Sequence, residues 1–116
     1  MVENEIQFLS WQKFRRMGPS ILRLEIKRLE RLMLRTADRP DLYNSLVRAR
    51  FELRKFVERL DETERDALET ECAPHLRAAI FAVAVERGDL SDDVVEILNY
   101  VADRLNYVHD RMVLLY

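Results

Sequence analysis

Two glycines, three prolines and one cysteine are all that this 116-residue chain holds of the residues that break or staple a fold. Each scarcity excludes something. Glycine and proline are the residues most costly inside helices, so a chain with so few of them reads as helices joined by few connections. Cys72 alone permits neither an internal disulfide nor a cysteine metal cluster. Gly18 and Gly88 cannot build a glycine-rich phosphate loop or a G-x-S-x-G nucleophile turn. His75 and His109 form neither H-E-x-x-H nor Glu-x-x-His, so no metal or other cofactor is expected. The longest unbroken apolar run, Ala78–Val85, has eight residues, far short of the ~20 that span a bilayer. The start MVENEIQF has neither the basic stretch nor the apolar centre of a secretory signal. These absences lead to the expectation of a cytoplasmic protein that does not enter membranes.

What the chain does have is helical periodicity. Apolar residues make up 48% of it, enough for one core and one domain over residues 1–116. Val2–Met17 reads as a first helix without a clean stripe: Ile6 and Leu9 lie on one side, Phe8, Trp11 and Phe14 nearer another. Gly18-Pro19 is expected to end it. A second helix, Pro19–Arg35, carries Ile21, Leu22, Ile26, Leu29, Leu32 and Met33 on one face. After Thr36–Asp41, with Asp38 as a cap, a third helix runs from Pro40 to Leu60. Its Leu42, Leu46, Ala49, Leu53, Phe56 and Leu60 alternate four and three apart, the spacing of knobs-into-holes packing. Asp61-Glu62-Thr63-Glu64 reads as a capping box opening the next helix, with Pro74 as a kink or restart. Leu76–Arg87 is expected to be the most buried helix, closed by Gly88. The last helix, Asp92–Tyr116 capped by Ser91, carries Val94, Leu98, Val101, Leu105, Val108, Met112 and Leu115. The fold class that follows is all-α: an antiparallel bundle of four to five helices with a long C-terminal helix.

Net charge is only −2, yet residues 11–59 hold fourteen Lys/Arg against six Asp/Glu, and residues 60–116 hold five against thirteen. A basic hairpin beside an acidic one compensates this split internally; a basic half facing an acidic partner uses it externally.

Two helices show a second apolar line outside their core seams. Tyr43, Val47 and Phe51 recur four apart, flanked by Arg50 and Arg54; Tyr100, Tyr107 and Leu114 recur seven apart. Aromatic residues with arginine are the composition of interface cores. The leading reading is therefore a non-enzymatic interaction module: an adaptor, assembly subunit or regulator that binds a protein partner or forms a homo-oligomer, in the simplest case a dimer. Met112, Leu115 and Tyr116, at the end of the long stripe, join its candidate contacts. The first alternative is a nucleic-acid-binding accessory using Arg23, Lys27, Arg31, Arg48 and Lys55, although Glu25, Glu30, Glu52 and Glu58 are interleaved with them and no helix-turn-helix spacing, zinc-finger ligand set or RNA-binding aromatic motif is present.

Arg104 and His109, in RLNYVHD, resemble the R-x4-6-H signature of the HEPN family, small all-helical proteins that include ribonucleases. The resemblance covers six residues and the fold class. It implies that the pair holds a scissile phosphate and moves protons, usually across a dimer. Leu105 stands where the family often carries a polar residue, and five residues separate the two by about 140° around a helix. Elsewhere, Cys72 among Glu69 and Glu71 is expected to have a raised thiol pKa rather than a nucleophile's. Glu25, inside the apolar arc of its helix, reads as a buried carboxylate paired with an arginine.

Overall fold

Leu42, Leu46, Ala49, Leu53, Phe56 and Leu60 occupy one buried face of α2 (Pro40–Glu62), as their spacing requires. Around them the computed structural model describes residues 2–116, with side chains from Ser10 onward. Three further helices complete the bundle: α1 (Val2–Arg35), α3 (Ala73–Val83) and α4 (Asp92–Val113). Each runs antiparallel to its neighbours, because short connections leave no other choice. Ion pairs and hydrogen bonds mark the register: Arg50 with Glu30 between α2 and α1, His75 with Glu52 between α3 and α2, Arg77 with His109 between α3 and α4. Arg35 with Asp93 joins α1 to α4 and closes the ring. Among the described residues there is no strand, and no helix is long and apolar enough to cross a membrane.

α1 is one helix where two are expected. Trp11, Phe14, Gly18, Leu22, Glu25, Leu29, Leu32 and Thr36 are all buried, and their three-or-four spacing passes through Gly18-Pro19 without a change of phase. Pro19 removes one backbone hydrogen bond, and a face buried on both sides of it holds the helix together. Ile6, Phe8 and Leu9 lie outside the residues whose side chains are described. Gly18 sits against α2: a Cβ there would lie 3.6 Å from Leu60 Cδ2 and 3.7 Å from the Phe14 ring, ordinary contact distances. Gly18→Ala is therefore expected to raise stability by about 0.5–1 kcal/mol through helix propensity. A lower urea midpoint in the variant would show that the fit is tighter than these distances imply.

The segment after α2 also departs from expectation. Asp61 and Glu62 are the last turn of α2, not the opening of a helix. The Thr63 hydroxyl donates to the Arg59 carbonyl, and a 3-10 turn (Arg65–Ala67) and a π-helical turn (Leu68–Cys72) then reverse the chain. Pro74 lies in the first turn of α3, where its missing donor costs nothing. Nor does Asp38 cap α2; Arg39 occupies that position without a side-chain cap, and its guanidinium reaches Asp89 at 2.6 Å.

α3 is shorter and more exposed than its apolar run suggests. It ends at Val83, and Gly88 lies beyond it in the loop with negative φ, so it does not close the helix. Leu76, Ala79 and Val83 are buried, while Phe81 is 84% exposed. A helix in a four-membered ring can hide only its inward side, so eight consecutive apolar residues must leave some outside.

At the other end, α1 at 34 residues outruns α2 at 23. Trp11 and Phe14 on this extension stack 6.4 Å apart and are buried. The α4 stripe continues into the same end of the bundle. Met112 is fully buried and Leu115 is 7% exposed, so both belong to this chain's core rather than to a partner contact. Arg65 Nε donates to the Leu115 carbonyl at 2.9 Å and helps hold the turn in place.

Candidate interaction surface

At about 100° per residue, a helix that points Leu46 and Leu53 inward points Phe51 outward. Phe51 is 54% exposed and Val47 37%, with Tyr43 half-buried beside the α1–α2 seam. Arg50 and Arg54 flank the line on its α1 side, where both guanidinium groups reach Glu30 Oε2, at 3.0 and 3.5 Å. The structure thus brings together all five α2 residues singled out by spacing. It adds Leu34 of α1, 85% exposed and one turn beyond Glu30 on the same side. Leu34 has no apolar neighbour at helical spacing on its own outer face, so periodicity gave no sign of it. Phe81 was missed for the opposite reason, being hidden in a run read as wholly buried.

The α4 line is also outside. Tyr100 is 46% exposed, Tyr107 37% and Leu114 76%. Guanidinium groups cover both rings: Arg28 lies 4.5 Å from the Tyr100 centroid, and Arg104 and Arg111 lie 5.3 and 5.1 Å from that of Tyr107. Such stacking hides part of each ring while leaving an edge and the hydroxyl to water. Below Tyr107 a groove of about 260 Å³ opens between α1 and α4, floored by Phe14, Met17 and Leu115. Tyr116 is 48% exposed, and its hydroxyl accepts from Arg77, which also grips both oxygens of Glu69 at 3.0 and 3.1 Å. These hydrogen bonds hold Glu69 below the ordinary carboxylate range.

One charged group is buried in the α1–α4 seam. Glu25 is 1% exposed, with Oε2 2.6 Å from Arg28 and Oε1 without a partner. Burial pushes its pKa up, and Arg28 and then Arg104 pull against that. The expected carboxylate–arginine pairing is present, between residues three apart on one helix. Cys72 is likewise buried, and desolvation raises its thiol pKa, with Glu71 adding to the rise.

The basic candidates divide. Arg48 is engaged by Glu52 at 3.4 Å and Lys55 by Glu58 at 3.7 Å, both on α2. Arg23, Lys27 and Arg31 lie exposed on α1, apart from those two. Arg104 and His109 are separated within the chain as well. Arg104 lies beside Tyr107 and acts on Glu25, toward α1, whereas His109 Nε2 accepts from Arg77 Nε of α3 at 3.3 Å. Comparison of the chain with protein-family models, with curated proteins and with solved structures finds no match in any of the three.

Proposed function

We propose that this protein is a non-enzymatic helical interaction module that binds another protein, or a second copy of itself, through the outward lines of α2 and α4. One observation carries the reading: Val47 and Phe51 stand in water although the opposite face of their helix already fills the core. A bundle gains nothing from them. Covering the exposed half of Phe51 contributes about 1–1.5 kcal/mol, so a partner surface is where they become useful. Arginine and tyrosine, which flank α2's line and form α4's, are the residues that dominate binding energy when an interface closes over them.

Val47→Glu/Phe51→Glu tests this cleanly, since both positions are on the surface. Deleting Val113–Tyr116 would not, because it removes Leu115 from the core. Light scattering over a wide concentration range, with affinity capture from the protein's own cells, should reveal an assembly or a retained partner. The double variant should weaken it at least tenfold while circular dichroism is unchanged. A wild type that is strictly monomeric, and that retains the same proteins as the variant, would overturn the reading.

A further inference from the structure

The basic half of the chain contains two kinds of cation. On α2, Arg48, Arg50, Arg54, Lys55 and Arg59 each have a carboxylate within 4 Å. On α1, Lys13, Arg16, Arg23, Lys27 and Arg31 have none among the described residues, and all five are exposed. At 3.6 residues per turn these five fall within an arc of about 80°, opposite buried Phe14, Gly18, Leu22 and Leu29. Of the two carboxylates of α1 between Ser10 and Arg35, Glu25 is buried on Arg28, and Glu30, at the edge of the arc, is engaged by Arg50 and Arg54 of α2. The fold provides no reason for the row. Arg23, Lys27 and Arg31 follow one another at i,i+4, an arrangement that weakens a helix through like-charge repulsion.

We propose that this ridge binds the phosphate backbone of nucleic acid. From Lys13 to Arg31 it runs about 27 Å, with Arg23, Lys27 and Arg31 about 6 Å apart along the axis. A duplex carries one phosphate per strand about every 3.4 Å of its axis, dense enough for cations about 6 Å apart each to meet one. Three of the five are arginines, and arginine engages phosphate through two parallel hydrogen bonds. A lipid surface fits less well, because an interfacial helix needs a continuous apolar face for the bilayer, and the ridge side of α1 offers only Leu24 and Leu34, ten residues apart. The acidic α3–α4 half repels a polyanion and turns α1 toward it. With no element aimed at base edges, binding is independent of sequence. The ridge adjoins both outward surfaces, with Leu34 inside its arc and Lys13 lining the groove beside Tyr107 and Leu114, but Arg23, Lys27 and Arg31 belong to neither line, so neither proposal requires the other.

Fluorescence anisotropy with a duplex DNA of about 20 base pairs and a single-stranded RNA of about 20 nucleotides provides the test. With five phosphate contacts, a plot of log K against log salt on the duplex should have a slope of about −4.5, roughly a 500-fold loss between about 50 and 200 mM. Arg23→Gln/Lys27→Gln/Arg31→Gln should make that slope shallower by about 3. Arg48→Gln/Lys55→Gln should leave it unchanged. The proposal fails if neither probe binds at about 25 mM salt, if the triple variant binds like wild type, or if the double variant loses as much as the triple. It fails equally if phosphatidylserine vesicles bind through the same three residues more tightly than either nucleic acid.

Discussion

Phe56→Ala is expected to cost about 3–5 kcal/mol of folding stability, and Phe51→Ala, on the same helix, to stay within about 0.5 kcal/mol. The two rings are five residues apart, about 140° around the helix axis. Phe56 is fully buried among the leucines of the bundle interior; Phe51 is 54% exposed. Truncating the first leaves a cavity that neighbouring helices, held from both sides in a closed ring, can only partly fill. Truncating the second removes side chain already in water, with a distant Lys55 ammonium, 5.7 Å from the ring, as its cationic neighbour. Domains of this size are stable by about 5–15 kcal/mol, so the first variant should be visibly less cooperative or partly unfolded at room temperature. Urea titration followed by circular dichroism distinguishes the two. Similar midpoints would mean that α2 does not present opposite faces to core and solvent.

Arg28→Ala is the second large effect, and it depends on pH. At neutral pH the variant leaves the Glu25 carboxylate buried without its only hydrogen-bond partner among the described residues. Breaking a buried pair in this way costs about 3–5 kcal/mol, because a charge is left desolvated. The value here should fall toward the lower end, since Arg104 still acts on Glu25. The folded pKa of Glu25 already lies above its ordinary 4.5; losing Arg28 raises it further. Stability tied to the neutral carboxyl is fully present below the unfolded pKa and is lost as pH rises through the folded one. The deficit of the variant against wild type should thus be small near pH 4 and grow toward pH 7. Glu25→Leu in the Arg28→Ala background should restore neutral-pH stability, because the carboxylate rather than the arginine carries the penalty. Equal deficits at both pH values would rule this account out. Other carboxylates, such as Asp93, held at about 2 by Arg35, titrate alike in both proteins and cancel from the difference.

Seams of regular spacing were the part of the fold most legible in the sequence. Leu42–Leu60 and Val94–Met112 are buried residue for residue, because a four-three alternation leaves a helix no other face to hide. Gly18-Pro19 misled because local propensity was read ahead of phase: the same stripe continues from Trp11 to Thr36, and tertiary burial on both sides outweighs one lost hydrogen bond. Ala78–Val85 misled because composition says how much can be buried, not how many neighbours are available to bury it. The candidate site was half legible. Spacing found Val47, Phe51, Tyr100 and Tyr107, while Leu34 and Phe81 had no periodic signal of their own. Met112 and Leu115 were assigned outward because the length by which α1 outruns α2 is not written in α4.

Helical character, the seams that hold the helices together and the split into a basic and an acidic half belong to the sequence alone, since backbone propensity and residue order suffice to set them. Which cations of that basic half keep a carboxylate among the described residues and which do not, and whether a second apolar line is covered or left in water, only the tertiary structure decided. The reason is geometric: the helical period fixes the direction of each side chain about its own axis, but what lies in that direction is supplied by another part of the chain.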